Sequence, residues 1–137
     1  MTENKKENLN NRMIKFLFEG APVRGACVQM AEEWQEMIKF HHYPENVAAL
    51  LGQFTAGALL LSSTIKFEGS LILQVKGSGP IAFIYAEVRN PMSVRAMAEI
   101  REGAEIKPEM DLQELINKDG KGLCALILDP KDRRPGV

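Results

Sequence analysis

Two cysteines, two adjacent histidines and a run of three hydroxyl side chains are the groups in this 137-residue chain that invite a chemical reading. Cys27 and Cys124 stand far apart, and neither belongs to a C-x-x-C pair, so they cannot build a four-ligand zinc site. Their expected role is that of buried thiols in a reducing compartment, and a disulfide between them is a question of geometry. His41 and His42 could serve as metal ligands or a base, but no H-E-x-x-H motif surrounds them. Adjacent residues on a helix also point about 100° apart, so the pair is read as polar residues closing a helix. Ser62, Ser63 and Thr64 lack the G-x-S-x-G frame of a nucleophile elbow and are expected to satisfy carbonyls at a helix end. Gly77-Ser78-Gly79-Pro80 lacks the Lys-Ser/Thr of a phosphate loop and reads as a hairpin turn. No acid–base pair of carboxylates stands out. Arg24, Arg89, Arg95 and Arg101 carry no interleaved aromatics, which favours a structural or partner-binding use over nucleic acid. No catalytic constellation assembles from these residues, and the chain is read as a non-enzyme without nucleic-acid partners.

The remaining candidates bind rather than react. The chain has seven methionines, and Met92, Met97 and Met110 fall in the stretch 90–110, which reads as less regular than its surroundings. Flexible thioethers suit surfaces that accept varied apolar partners, although methionine also fills gaps in cores. These three are the candidate client-binding residues.

The elements that would position such groups follow from periodicity. Met13–Phe18 and Val23–Met30 read as an antiparallel pair across Gly20-Ala21-Pro22. In residues 31–40, Trp34, Met37 and Ile38 recur at helical spacing, with Glu32, Glu33 and Glu36 on the other side. Tyr43-Pro44 breaks this helix, and Pro44 can open the next. That next helix, about residues 45–65, is apolar around nearly its whole circumference and should be enclosed on most sides. Two glycines inside it, Gly52 and Gly57, cost roughly 1 kcal/mol each against alanine and suggest close packing on other backbone. The uncharged run from Asn46 to Ile65 reaches the ~20 residues of a membrane span. Its polar residues (Asn46, Gln53, Thr55, Ser62, Ser63, Thr64) favour a buried core helix, with no membrane partner. Strands follow at 70–76, 81–88 and 94–100, then a short helix, 112–116, and a last strand, 123–128.

Seventeen basic residues against eighteen acidic ones leave a formal net charge of −1, which excludes a global basic field. The first eight residues are expected to be a disordered leader. They lack a secretory apolar region, which points to the cytoplasm. Residues 129–137 resemble a hairpin loop more than a natural end, so a truncated domain is expected over 9–137. The fold class is α+β, with antiparallel strands packed around a buried central helix.

Several phrases taken in order resemble one family. They are Phe18 followed by Val23-Arg24-Gly25; His41-x-Tyr43-Pro44; Ser63-Thr64-x-Lys66-Phe67-x-Gly69; Gln74-x-x-Gly77-x-Gly79-Pro80; and Arg95-Ala96-x-Ala98. Together they are similar to the N-terminal domain of the redox-regulated 33-kDa heat-shock chaperones. The resemblance implies a cytoplasmic, ATP-independent holdase that binds unfolding proteins under oxidative stress, in typically dimeric active forms. It also implies a C-terminal module in the full-length protein, where four cysteine thiolates hold zinc until oxidation releases it. This chain departs from that pattern. At 15.3 kDa it has about half the family's size, and neither cysteine inherits a ligand role. The expectation is a partial N-terminal chaperone domain with no cofactor of its own, whose partners are unfolded client proteins. A homo-oligomer is also expected, with domain swapping as one route to it. The competing reading is a structural dimerisation module without client binding.

Overall fold

A computed structural model describes residues 11–39, 41–65, 68–89 and 93–130. Within them the elements run β1 (Asn11–Leu17), β2 (Arg24–Met30), α1 (Glu32–Lys39), α2 (Glu45–Thr64), β3 (Gly69–Lys76), β4 (Ile81–Arg89), β5 (Ser93–Ile100), α3 (Leu112–Ile116) and β6 (Leu123–Pro130). Strands β1 and β2 form a two-stranded antiparallel sheet, with Ile14 opposite Cys27 and Phe16 opposite Gly25. The other four form an antiparallel sheet in the order β5-β4-β3-β6. The α+β class with antiparallel sheets around a central helix is therefore the observed fold.

Helix α2 is the middle layer. It packs against β2 on one side and against β3, β4 and β5 on the other. Its N-terminal half places Val47, Leu50 and Leu51 in a cluster with Ile81, Ile84, Ala98, Leu115 and Ile116. Its C-terminal half places Ala58 and Leu59 against Leu71, Ala86 and Val88, with Met13, Val28 and Met30 of the small sheet closing that cluster. Thr55 is fully buried, and its hydroxyl donates to the Leu51 carbonyl at 2.7 Å, which removes the cost of burying it. By length and composition α2 could cross a membrane, yet here it packs as the core helix between two sheets.

Enclosure of α2 is less complete than its composition predicts. Six of its residues are buried, while Leu61 is exposed and most others are half-buried. The two glycines also differ. A Cβ on Gly52 would lie 2.6 Å from Trp34 Nε1, so the α1 indole sits directly on the helix backbone there. A Cβ on Gly57 would meet nothing within 4 Å, so close packing does not explain that glycine.

The β3–β4 connection is a turn, as its sequence indicates, and it is held from several sides. Gly77 N–H donates to Ala82 O and Ser78 N–H to Ile116 O. The Arg101 guanidinium donates to Gly79 O at 3.2 Å and Gly77 O at 2.9 Å. At Gly79 a Cβ would lie 2.6 Å from Glu114 O, so the turn and α3 touch backbone to backbone. That contact requires glycine.

Candidate functional site

The described residues bring no reactive groups together. His41 stacks on Tyr43 with ring centroids 5.3 Å apart, and His42 takes the left-handed backbone conformation (φ 46°) that turns the chain from α1 into α2. The Ser62, Ser63 and Thr64 hydroxyls donate to the carbonyls of Leu59, Leu60 and Leu61 at 2.7–2.8 Å, closing the helix end as expected. Arg101 is engaged by the turn. Arg89 pairs with Glu87 at 3.4 Å, and Arg95 lies opposite Glu87 on β5. Arg24 belongs to the other sheet, so the four arginines form no single basic surface. The Asp119 carboxyl lies below its ordinary range, first through the Ser78 hydroxyl and then through the Lys121 backbone and charge. Because the Ser78 hydroxyl forms no well-aligned hydrogen bond and Asp119 is fully exposed, that pull is weak.

Both cysteines are exposed free thiols rather than buried ones. Cys27 lies on β2 of the small sheet and Cys124 on β6 of the large one. The reasons differ: Cys27 lies on the face of its hairpin turned away from α2, whereas Cys124, opposite Val75, lies on the α2 side of the large sheet but on a strand that the helix does not cover. Among the described residues no group of three or more His, Cys, Asp or Glu side chains could hold a metal ion. The residues present do not fit a zinc centre.

What the fold does present is apolar surface in two places. In the small sheet, Met13, Val28 and Met30 face α2. Side chains alternate along a strand, so Ile14 and Phe16 point away from it, with Cys27 beside them. Both are exposed, as are Leu17, Phe18 and Val23 around the turn. The Phe16 ring lies over Gly25, and its centroid is 5.9 Å from that of Phe18. The second place is β6, where Leu123, Leu126, Ile127 and Leu128 are all exposed, Leu123 to 65%. Helix α2 lies over β3, β4 and β5, and no comparable packing joins it to β6.

The three methionines occupy different settings. Met97 is half-buried in β5, a regular strand rather than an irregular stretch, on the sheet face opposite α2 and across from Tyr85. Met110 is half-buried against the core cluster at the N-terminal half of α2. Met92 lies outside the described residues. The exposed set on β1 and β6 was not singled out by sequence reasoning. One signal was present: Leu123–Leu128 is apolar at every position, where a half-covered strand would alternate.

A family model described as Hsp33 protein matches residues 11–136. Among curated proteins, the chain is 39% identical over 128 residues to a 33 kDa chaperonin of Neisseria gonorrhoeae, covering 93% of this chain and 42% of that protein. It is 38% identical over 123 residues to the 33 kDa chaperonin of Aliivibrio salmonicida, covering 90% and 40%. With that of Shewanella woodyi the identity is 35% over 127 residues, covering 93% and 41%. The chain spans about two fifths of the length of these relatives.

Proposed function

This chain belongs to the Hsp33 protein family, and we propose that it acts as a chaperone segment: an ATP-independent holdase for unfolding proteins under oxidative stress. The observation that carries this reading is the exposed apolar surface of β1 (Ile14, Phe16) and β6 (Leu123, Leu126, Ile127, Leu128) on a folded core. Contiguous exposed apolar groups are a cost unless something binds them. The relatives' name, 33 kDa chaperonin, supports a binding role over an enzymatic one. A cytoplasmic location follows from the same relationship.

Client contact by Met92, Met97 and Met110 is retained within this proposal, with the aromatic and aliphatic residues of β1 and β6 added. The zinc that the resemblance implies finds no ligand set among the described residues, so client holding by this segment is proposed to run without a metal switch of its own. The structural alternative, an oligomerising module indifferent to clients, is favoured by the same exposed strands.

Light scattering of a chemically unfolded substrate protein separates the two readings. Equimolar chain should slow aggregation in the absence of ATP, and Phe16→Ser combined with Ile14→Ser should weaken that effect. A chain that leaves the scattering unchanged while sedimenting as a stable oligomer would establish the structural alternative instead.

A further inference from the structure

The loop between β5 and α3 folds back on the first turn of α2, and Asn46 makes the seam between them. Its side-chain amide donates to Lys107 O at 3.0 Å and to Met110 O at 3.4 Å, while its Oδ1 accepts from Val47 N–H. Met110 N–H also donates to Lys107 O, which closes the loop as a turn. Along this seam runs a cleft of about 310 Å³ lined by Pro44, Glu45, Asn46, Ala49, Ile106 and Pro108. Both walls are anchored in the core. Leu50 and Leu51 follow one of them, and Ile106 and Met110 pack against the cluster that these leucines join.

The cleft is apolar in its walls and acidic at its rim. Pro44, Pro108, Ala49 and Ile106 supply the walls. The prolines bring no N–H, Pro44 O already accepts from Ala48 N–H, and the Asn46 amide is spent on the loop. That leaves the Glu45 carboxylate as the charged group of the lining. Glu105 and Glu109 flank the Ile106–Pro108 wall, and all three glutamates are exposed. Among the described residues none of the three is in an ion pair. Lys107 is the one base between them, so negative charge gathers here in a chain whose formal net charge is only −1.

We propose that this cleft seats one apolar side chain of an unfolded polypeptide, and that its rim selects segments in which that side chain is flanked by arginine or lysine. The proposal rests on the holdase reading and names the class of client segment it would prefer. Size favours such an occupant. Ligand pockets run from about 300 to 1,000 Å³, and the cleft stands at the small end, suited to a single side chain. A small polar molecule needs several convergent polar groups to orient it, and these walls do not supply them. Charge completes the argument. Arginine and lysine lay their stems along apolar surface while the charged head reaches the carboxylates at the rim. The proline rings and the Asn46 bonds fix both walls beforehand, so little ordering opposes binding.

The probe is a fluorescein-labelled heptapeptide with a central leucine, an arginine two positions to either side, and glycine or serine elsewhere. Fluorescence anisotropy should show it binding the full 137-residue chain, more weakly as salt rises. Affinity should fall about tenfold or more when glutamate replaces both arginines, and by a similar factor when glycine replaces the leucine. Ala49→Phe fills the cleft from an exposed helix position and should abolish binding, with circular dichroism confirming the fold. Glu45→Gln keeps the shape of the wall and should weaken binding about two- to fivefold, which keeps the test informative should the phenylalanine variant unfold. Equal binding of the arginine and glutamate peptides would overturn the proposal. So would unchanged binding in both variants. A sedimentation mass that doubles for the parent chain and not for Ala49→Phe would make a second copy the occupant and overturn it as well. Suppressed aggregation without peptide binding would sink the cleft and leave the holdase reading standing; peptide binding without suppression would do the reverse.

Discussion

Glycine shows how little a residue type determines before its neighbours are known. Gly57 and Gly79 are the same letter, yet a Cβ on the first meets nothing within 4 Å, and on the second it would lie 2.6 Å from Glu114 O. Gly57→Ala should therefore stabilise the chain by up to about 1 kcal/mol, the helix-propensity difference. Gly79→Ala should destabilise it by about 1–3 kcal/mol or more, because backbone cannot swing aside as a side chain can. Urea midpoints of the two variants should move in opposite directions. The turn itself was legible from Gly77-Ser78-Gly79-Pro80. Its clamp by Arg101 was not, because that bond joins residues 22 and 24 positions apart in sequence. The cysteines failed for a related reason. A thiol's burial depends on what covers its strand, and α2 covers neither Cys27, on the far face of its hairpin, nor Cys124, on a strand beyond the helix's reach.

Elements were far more legible, since their signals are local. Pro44 and the hydroxyl-rich end fix the two limits of α2, Glu45–Thr64, and the strand and short-helix limits agree to within about two residues. Burial around the α2 circumference was overestimated, because apolar composition reports what a helix tolerates and not what its neighbours reach. Its inward face is nevertheless the core. Leu59 is fully buried between the two sheets, touching the cluster that holds Leu71 and Val88. Leu59→Ala should cost about 2–5 kcal/mol, the usual range for a buried leucine. Leu61→Ala, on the exposed side of the same helix, should cost much less. Thermal or urea denaturation of the pair measures how asymmetric the α2 environment is.

At the scale of the molecule, the class, the order of elements and the family were legible, while the exposed apolar strands were not. Ile14, Phe16 and Leu126 look like core residues in sequence, and only the arrangement of sheets around α2 leaves them outside. That arrangement is uneven. Two strands alone are marginal in water. The small sheet is tied to the rest mainly through Met13, Val28 and Met30 against α2, whereas the large sheet has four strands and both helical clusters behind it. The molecule should thus contain two cooperative opening units rather than one. In native-state amide hydrogen exchange, the protected amides of 24–30 should exchange through a low-energy opening, while those of 71–75 and 84–88 wait for global unfolding. Uniform protection across both sheets would show that the hairpin is as firmly held as the core. If the hairpin does open first, the layer it uncovers is the uncharged flank of α2. The chain would then carry, in its own fluctuations, a second and transient apolar surface beyond the one it displays at rest.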